Sequence, residues 1–510
     1  MSERAILATI RSMTLRRHHE VPVLIVGAGP AGLTTALALA RHGVESLLVE
    51  RRSDVPSLPR ATSISTRSME LLRSWGLEDD VRSGGVEAEW LLWQCETLAS
   101  ARAGSGVFGG FPTREQSAVI SPTGPACVPQ DHLESVLLRH LRSMRAFRAA
   151  FGVAVVSVHD RPDGVRAELR HAGTGESWTV HARYLVAADG AHSTVRNGLG
   201  IAMHGPDHLA EAVTALFRAP LWKLLGDCRY GVYDISHPEA AGVFLPAGRD
   251  DRWLYGVIHR PASGQPEDFS EQSITRRIRL GAGVATLQPS IERIGSFSFA
   301  AQLAERFRRG SAFLVGDAAH RVTPRGGTGM NTAIHDGYDL GWKLAWVLRG
   351  WAAPWLLDSY ETERRPVAEH NVARSADPNG SVLGAEQALH VDLGGRIAHV
   401  WLPSASGRVS TLDLLGPGLT LFTDPQWTMW NMASVTGPSP LVVRSLDAIT
   451  AQAIGIRSGG ALLVRPDGSP IAMLAEGAGA VHALRAALAS APAASGRPQT
   501  ATAVAARAVA

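Results

Sequence analysis

Cysteine is scarce in this chain of 510 residues, which contains only Cys95, Cys127 and Cys228. Three cysteines are too few for a disulfide scaffold or a four-cysteine zinc site, and no two of them form a C-x-x-C pair. Excess charge is also lacking, because 50 basic and 47 acidic residues leave a net charge of +3. This balance excludes a nucleic-acid footprint and favours a small-molecule partner. The low cysteine count fits a reducing compartment, and we expect a cytoplasmic protein.

Charge is absent from the whole of residues 21–40, a stretch that imitates an export signal or a membrane anchor. The local pattern predicts a different structure. An apolar β-type run at 23–26 precedes a glycine-rich turn, and helix-compatible composition follows as far as Gly43. A second apolar run, residues 46–49, then ends in Glu50. The segment therefore predicts the first half of a Rossmann-like βαβ unit, with neither export nor a membrane span.

The glycine turn reads GAGPAG and has Gly27, Gly29 and Gly32 at the positions of a dinucleotide-binding loop. Glycine is needed there because a tight turn and a close approach of pyrophosphate leave no room for a Cβ. The N-terminus of the following helix offers free N–H groups and a positive dipole to the phosphates. Glu50 lies roughly 20 residues further on, where an acid accepts hydrogen bonds from the adenosine ribose and favours NAD or FAD over NADP.

A second copy of the G-x-G-x-x-G pattern occurs at Gly104–Gly109. No clear strand precedes it, no acid follows at the required distance, and Pro112 prevents a regular helix. We therefore expect a loop at this copy and no binding site.

Two further apolar runs end in acidic residues. Residues 184–188 lead into Asp189, and residues 312–316 lead into Asp317. The second run is followed by a proline- and glycine-rich turn at 324–331 and then by helical periodicity as far as residue 348. A second glycine turn at a helix N-terminus suits another anion, such as the charged edge of a reduced isoalloxazine, and Asp317 can accept from a ribityl or ribose hydroxyl. The pattern as a whole indicates a flavin enzyme.

These elements, with the stretches 58–77 and 127–141, resemble the single-component FAD-dependent aromatic hydroxylases of the para-hydroxybenzoate and phenol hydroxylase type. The resemblance extends over residues 21–375 and is nearest to the actinobacterial polyketide oxygenases. It implies an α/β fold with a Rossmann-like FAD-binding domain, a mixed-sheet substrate domain and a thioredoxin-like C-terminal domain.

The domain boundaries that follow from it are discontinuous, because the substrate domain is inserted into the FAD-binding domain. The predicted ranges are a flexible extension at 1–20, the FAD-binding domain at 21–90, 119–200 and 295–395, the substrate domain at 91–118 and 201–294, a thioredoxin-like domain without a CxxC motif at 396–490, and a disordered tail at 491–510.

The resemblance also implies the roles of individual residues. The implied cofactor-binding residues are Gly27, Gly29, Ala31, Gly32, Glu50, Arg51, Arg60, Gln130, Asp189, Asp317, Pro324, Gly327, Thr328, Gly329, Met330 and Asn331. Arg60 and Pro324 are in addition expected to act in catalysis, and no metal site is expected. Thr328 departs from the family, in which glutamine or a larger residue is more usual between the glycines.

The implied reaction is the hydroxylation of a phenolic, polyketide-type natural product. NADPH would bind transiently and reduce FAD, and O2 would then form a flavin C4a-hydroperoxide that transfers its distal oxygen to the ring. The expected partners are thus a small aromatic substrate, O2 and NAD(P)H, with no nucleic acid and no membrane, in a monomer or homodimer.

Two alternatives remain open. A Baeyer–Villiger oxygen insertion on a polycyclic ketone would use the same cofactor position, and a non-catalytic flavin- or ligand-binding protein would share the same motifs. Aromatic residues of the substrate domain are candidates for the pocket wall, although each also fits a core position. They are Trp90, Trp93, Phe108, Phe111, Tyr230, Tyr233, Phe244 and Trp253. His320 is a candidate catalytic residue with a structural role as its alternative.

Overall fold

A computed structural model describes residues 20–54, 58–259, 268–405, 407–427 and 438–475. The expected extension, apart from residue 20, and the expected tail lie outside the described residues. None of the described helices is long and apolar enough to cross a membrane.

The first layer is a central sheet whose core strands are parallel and uniformly apolar. Such continuous runs are typical of parallel strands, because both of their faces are buried. Its strands lie in the order Arg308–Arg309, Ala312–Leu314, Ser177–Ala187, Glu20–Val26, Ser46–Glu50 and Phe147–Phe151, with Val153–Arg161 and Gly164–His171 extending it as an antiparallel ribbon.

Two helices pack on this sheet with unusually close backbones. The first helix (Pro30–Arg41) lies against the long helix (Gly329–Leu348). A Cβ at Gly337 would lie 2.3 Å from the carbonyl oxygen of Ala31, and a Cβ at Gly341 would lie 2.6 Å from the Cβ atom of Ala38. Glycine at these two positions therefore sets the distance between the helices. The predicted strand–turn–helix–strand unit and the predicted long helix are confirmed.

A second sheet has seven strands and is here called the roof sheet, and its Leu216 and Leu254 pack against Leu58 of the FAD-binding domain. Its strands lie in the order Ser290–Phe299, Ala210–Arg218, Arg252–His259, Gly242–Pro246, Tyr230–Ile235, Glu89–Cys95 and Ser105–Val107. The loop predicted at the second glycine pattern is wrong in part, because Ser105–Val107 forms a strand that pairs antiparallel with residues 92–94.

The C-terminal sheet has four strands in the order Leu441–Ser445, Leu419–Thr423, Ala461–Val464 and Pro470–Leu474. The first pair is parallel and the other pairs are antiparallel, which is the arrangement of a thioredoxin-like sheet. One face, with Leu421 and Leu463, joins the core of the FAD-binding domain, and the other packs on its own helix, Ala448–Ala453.

Buried charges fix this C-terminal sheet to the rest of the chain. Arg465 lies 2.7 Å from Glu363, whose other oxygen lies 2.8 Å from the buried ammonium of Lys343. Tyr338 of the long helix donates to the carbonyl oxygen of Pro466 at 3.0 Å. Removing one partner of such a network leaves an uncompensated buried charge, so the contact is expected to be rigid.

The remaining helices and short strand pairs connect these layers. The helices are Thr66–Ser74, Glu78–Arg82, Arg114–Ile120, Gln130–Arg142, Thr194–Gly198, Leu221–Leu225, Glu271–Ala282, Asp358–Ala376 and Ala385–Leu393. The short strands are Ser63–Ile64 with Ala126–Cys127, Met203–His204 with Gln302–Ala304 and His320–Arg321, and Trp401–Ser404 with Gly407–Ser410.

Candidate active site

The first glycine turn joins the central strand Glu20–Val26 to the first helix, and its glycines meet three different environments. Gly27 has φ +108°, and a Cβ there would lie 2.3 Å from the carbonyl oxygen of Ala188. A Cβ at Gly32 would lie 2.0 Å from the carbonyl oxygen of Gly27. Around Gly29, by contrast, no described atom lies within 4 Å of the Cβ position. The turn is thus closed toward the protein and open at Gly29, where a phosphate has to approach.

Glu50 lies beside this turn at the carboxyl end of the neighbouring strand. Its carboxylate accepts from the backbone N–H of Ala28 at 2.9 Å and from that of Arg52 at 2.9 Å. These two bonds orient the carboxylate and leave its remaining lone pairs for further donors. The predicted pairing of the turn with Glu50 is present in the fold. The side chain of Arg51 is exposed, and Ala31 is buried against the backbone of the long helix.

The second glycine turn precedes the long helix. Gly326 and Gly327 have φ +79° and +63°, values that favour glycine, and the helix begins at Gly329 after Thr328. Among the described residues, no side chain caps the N-terminus of this helix or of the first helix. The N–H groups of the first turn of each helix are therefore left for a ligand or water. Met330 is buried just inside the helix.

Asn331 holds this turn in position. Its amide nitrogen donates to the carbonyl oxygens of Gly327 at 3.0 Å and Ser63 at 3.1 Å. Its amide oxygen accepts from the backbone N–H of Ser65 at 2.8 Å and from the hydroxyl of Ser68 at 2.9 Å. Since these bonds occupy the whole carboxamide, Asn331 joins the turn to the segment around Ser63, and its side chain is a positioning group. The residues 63–68 were missed by the sequence analysis, although the stretch 58–77 that contains them carries the resemblance.

A buried polar group lies behind the second turn, around a cavity of about 30 Å³. The Nε2 atom of His335 lies 3.0 Å from the Ser68 hydroxyl, and burial lowers the pKa of His335 well below its usual value. Burial raises the pKa of the neighbouring Asp392 to about 6, against the hydrogen bonds that it accepts from Ser65 and from the backbone N–H of Arg67. A cavity of this size holds water and is too small for a substrate.

Asp189 and Asp317 follow adjacent strands of the central sheet. Asp189 accepts from the Ser193 hydroxyl at 2.5 Å and from the backbone N–H of Val195 at 3.1 Å, so it orders the short helix after the strand. Burial is the main reason that the pKa of Asp189 is raised. Asp317 is half-buried, and among the described residues its carboxylate has no hydrogen-bond or ion-pair partner. Of these two acids, Asp317 is therefore the one whose carboxylate can accept a hydrogen bond from a ligand.

His320 belongs to the support of this loop. It is buried, and its Nε2 atom lies 2.6 Å from a carboxylate oxygen of Asp336. The same carboxylate accepts from the backbone N–H of Gly316 at 3.1 Å and from the guanidinium of Arg364 at 2.7 Å. The charge of Arg364 and the hydrogen bonds with His320 and Arg364 lower the pKa of Asp336, against the effect of burial. Of the two roles considered for His320, the structural one fits this geometry.

Arg60 and Gln130 belong to segments that are in contact. The backbone N–H of Gln130 donates to the carbonyl oxygen of Ala61 at 2.9 Å, and the Arg60 side chain is exposed. The carboxamide of Gln130 donates at 2.7 Å to Glu134, a buried acid that the sequence analysis did not single out. Burial raises the pKa of Glu134 to about 7, while the hydrogen bond from Gln130 and the charge of Arg60 oppose the shift.

The two faces of the roof sheet differ in their surroundings. The outer face forms a closed core with the helix Glu271–Ala282, and Tyr233, Phe244 and Trp253 are fully buried in it. For these three aromatic residues the core alternative is correct. The inner face is turned to the FAD-binding domain, where Leu216 and Leu254 pack against Leu58.

Trp90 and Phe111 are the candidate pocket residues that lie beside the second glycine turn. Their rings stack with centroids 5.0 Å apart, and the Phe111 ring lies 3.3 Å from the Cβ position of Gly327. Trp93 stacks on Tyr230 with centroids 3.8 Å apart, and both pack against the core of the outer face. The site therefore has glycine turns and acids on one side, and an apolar sheet face with a few aromatic rings on the other.

Comparison with protein families matches residues 20–375 to the FAD binding domain family and residues 390–494 to the family of aromatic-ring hydroxylase C-terminal domains. This chain belongs to the FAD-dependent aromatic-ring hydroxylases. The first glycine turn, Glu50 and Asp317 follow the carboxyl ends of strands of one parallel sheet.

Relatives of known name support the same assignment. Aklavinone 12-hydroxylase of Streptomyces peucetius is 36% identical over 459 residues, covering 81% of this chain and 93% of the relative. The tetracenomycin A2 monooxygenase-dioxygenase of Streptomyces glaucescens is 33% identical over 525 residues, covering 88% of this chain and 92% of the relative. The solved ternary complex of aklavinone-11 hydroxylase with FAD and aklavinone has a TM-score of 0.81 and 32% identity, covering 92% of this chain and 99% of that one.

FAD fits the residues that this hydroxylase offers. The open side of Gly29 and the uncapped helix after it suit the pyrophosphate, and the oriented carboxylate of Glu50 suits the ribose. Asp317 suits a hydroxyl of the ribityl chain, and the uncapped N-terminus of the long helix suits the negatively charged edge of the ring system. No binding group in this set lacks a chemical counterpart on FAD.

Proposed function

We propose that this protein uses NADPH and O2 to add a hydroxyl group to the ring of a phenolic, polyketide-type aromatic compound at its bound FAD. The observation that carries the proposal is the apolar inner face of the roof sheet opposite the second glycine turn. A ring held between this face and the FAD site would be shielded from water, as oxygen transfer requires. The substrate class is supported by the relatives that act on aklavinone and tetracenomycin A2.

The residues of this chain would bind FAD and the substrate, orient them and protect them from water. When bound, FAD supplies the oxygen-activating chemistry, which belongs to the cofactor. The N–H groups at the start of the long helix would stabilise negative charge on the cofactor, and Asn331 would keep them aligned by fixing the turn before them. Pro324 precedes the two glycines with positive φ and would form the wall nearest the substrate. Arg60 and Gln130 would lie on the path of NADPH, and Gln130 would be oriented by Glu134.

The proposal is tested by the visible absorption spectrum of the purified protein under anaerobic conditions. Oxidised-flavin bands are expected to bleach with NADPH, faster when 1-hydroxyanthraquinone is present, and to return with air. A protein that remains colourless after FAD is added would contradict the assignment of the cofactor site. Tight binding of the aromatic compound without any NADPH oxidation would favour the non-catalytic binding protein, and a lactone product would favour the Baeyer–Villiger reaction.

A further inference from the structure

The turn between the last two strands of the C-terminal sheet, residues 465–469, is here called the C-terminal turn. It bonds to two helices of the FAD-binding domain. Tyr338 of the long helix donates to the carbonyl oxygen of Pro466 at 3.0 Å. The guanidinium of Arg67, which lies in the first turn of another helix, donates to the carbonyl oxygen of Asp467 at 2.6 Å. The C-terminal turn therefore bridges these two helices.

The same two helices carry the bonds that hold the second glycine turn. At the start of the helix that contains Arg67, the backbone N–H of Ser65 and the hydroxyl of Ser68 donate to the amide oxygen of Asn331, at 2.8 Å and 2.9 Å. Asn331 in turn donates to the carbonyl oxygen of Gly327 at 3.0 Å. Because Arg67 lies between the two serines in the chain, the C-terminal turn holds the segment on which Asn331 depends.

The C-terminal turn is itself fixed by buried charges. The carboxylate of Asp467 accepts from the backbone N–H of Ser469 at 2.9 Å and from the guanidinium of Arg465. Arg465 also lies 2.7 Å from Glu363 of the FAD-binding domain. A buried network of paired charges and hydrogen bonds favours one arrangement. The carbonyl oxygen of Asp467 is thus presented to Arg67 at a fixed place.

Arg67 has a second contact, which bears on how its role can be tested. Its guanidinium lies 2.9 Å from the buried carboxylate of Glu70. Glu70 also accepts from the guanidinium of Arg396 at 2.8 Å and from the hydroxyl of Ser121 at 2.8 Å. Replacement of Arg67 therefore leaves Glu70 with a cationic partner, and the contact with the C-terminal turn can be removed without leaving a buried acid unpaired.

We propose that Arg67 is a positioning residue through which the C-terminal domain aligns the second glycine turn with FAD. The inference rests on one step of the proposed function, the stabilisation of negative charge on FAD by the N–H groups at the start of the long helix. Asp467 holds Arg67, whose neighbour Ser68 holds Asn331, and Asn331 holds Gly327. Without the first contact the start of the long helix is less well aligned with the charge on reduced FAD. Arg67 therefore raises the reduction potential of bound FAD.

The test measures the midpoint reduction potential of FAD in the loaded enzyme, by titration with dithionite in the presence of a dye of known potential. Arg67→Met is expected to bind reduced FAD about tenfold more weakly relative to oxidised FAD, which lowers the potential by about 30 mV for two electrons. Arg73→Met is the matched control. Arg73 lies in the same helix and bonds to Asp413 of the C-terminal domain at 3.0 Å, but it lies six residues beyond Arg67 at the other end of the helix. This control should keep the ratio of the two affinities within about twofold of the wild type.

Two further variants keep the test decisive. Ser68→Ala breaks the chain of contacts at its next step and should lower the potential by a similar amount. If both residues act through Asn331, the double variant shows no larger shift than Arg67→Met alone. Should Arg67→Met fail to fold, Arg67→Lys takes its place. Lysine keeps a charge beside Glu70 but lacks the fork that serves Glu70 and Asp467 together, so the ratio should fall about threefold.

Three outcomes would overturn the inference. They are an unchanged potential in the variants of Arg67, equal shifts in Arg67→Met and Arg73→Met, and a shift in the double variant that equals the sum of the single shifts. The second would mean that any loosening of the C-terminal domain acts on the site. A selective shift in Arg67→Met, together with a wild-type enzyme that forms no hydroxylated product with NADPH and O2, would support the inference and refute the proposed hydroxylation.

Discussion

The same six-residue glycine pattern occurs twice in this protein and forms two unrelated structures. Gly27–Gly32 follows the central strand of a parallel sheet and opens a helix of 12 residues. Gly104–Gly109 begins at the end of a 3-10 helix and contains the edge strand Ser105–Val107 of the roof sheet. The pattern alone thus does not identify a binding loop. The strand before it and the helix after it do.

The glycines of the two copies also avoid different contacts. In the first copy, a Cβ at Gly27 or Gly32 would meet backbone oxygen at 2.3 Å or 2.0 Å. In the second copy, a Cβ at Gly104 would meet the backbone oxygen of Gln94 at 2.5 Å, a Cβ at Gly106 would meet the side chains of Leu91 and Trp93, and a Cβ at Gly109 would have its nearest contact at 3.4 Å. Side chains can move aside and backbone cannot. The first copy therefore depends on glycine at two positions and the second tolerates a Cβ at its last one.

The largest effect is expected for Gly32→Ala. Its Cβ would lie 2.0 Å from the carbonyl oxygen of Gly27 and would force the turn apart. We expect a loss of about 3–5 kcal/mol in the free energy of unfolding, and no FAD in the purified protein. Thermal unfolding and the flavin content measure both. Gly109→Ala is the matched change in the second copy and should alter stability by less than about 0.5 kcal/mol. Equal effects of the two changes would contradict the comparison.

Glu134 is a buried acid in the helix Gln130–Arg142, which packs against the first helix, and it makes the stability of the protein depend on pH. The second glycine pattern, residues 104–109, contains no titratable side chain. Burial raises the pKa of Glu134 from 4.5 to about 7, so the folded protein holds a proton that the unfolded chain has released. Stability is then lost as the pH rises between these two values, by at most about 3 kcal/mol. Glu134→Gln should remove this loss and keep the contact with Gln130. Urea unfolding of both proteins at pH 5 and pH 8 measures the difference, and parallel pH profiles would refute it.

A smaller effect, on FAD affinity, is expected for Glu50→Gln. Glu50 follows the first glycine pattern, and the second pattern has no acid at the corresponding distance. The change removes the charge but keeps one oxygen to accept from the N–H of Ala28. Charge-assisted hydrogen bonds to the ribose would weaken, and FAD affinity should fall about tenfold to a hundredfold. Fluorescence titration of the apoprotein with FAD gives the dissociation constant. Glu45→Gln, an exposed acid 3.2 Å from Arg148, is the control and should leave FAD affinity unchanged.

The smallest effect, and the most selective, is expected for Gly29→Ala. No described atom lies within 4 Å of the Cβ position, so the apoprotein should unfold at the wild-type temperature. The added methyl group meets only the incoming pyrophosphate, and FAD affinity should fall about tenfold. Calorimetry of the apoprotein and FAD titration separate the two quantities. A destabilised apoprotein with unchanged FAD affinity would reverse the roles assigned to Gly29 and Gly32.

The sequence was sufficient for those parts of the site that depend on local order along the chain. Strand, turn, helix and acid follow one another between residues 20 and 50, and the spacing alone relates Glu50 to Gly29. The same is true of the second turn and the long helix, whose periodicity is uninterrupted as far as residue 348.

Other parts of the site depend on which face of a sheet is covered by the rest of the fold. The sequence alone does not show which face that is. Tyr233 and Phe297 are both aromatic residues in strands of the roof sheet, but the first is fully buried in the outer core and the second is exposed. The family resemblance implied a cofactor-binding role for Asn331. Its four partners come from residues 63–68 and Gly327, and only the fold brings the first of these within reach.

The proposed transfer of oxygen from O2 to an aromatic ring held between the two glycine turns and the roof sheet is tested by the mass spectrum of the product formed from 1-hydroxyanthraquinone with NADPH under oxygen-18 gas. A ring-hydroxylated product is expected in which the new oxygen atom carries the label. An unlabelled hydroxyl group, which would have come from water, or the absence of product from an enzyme that still consumes NADPH and holds FAD, would contradict it.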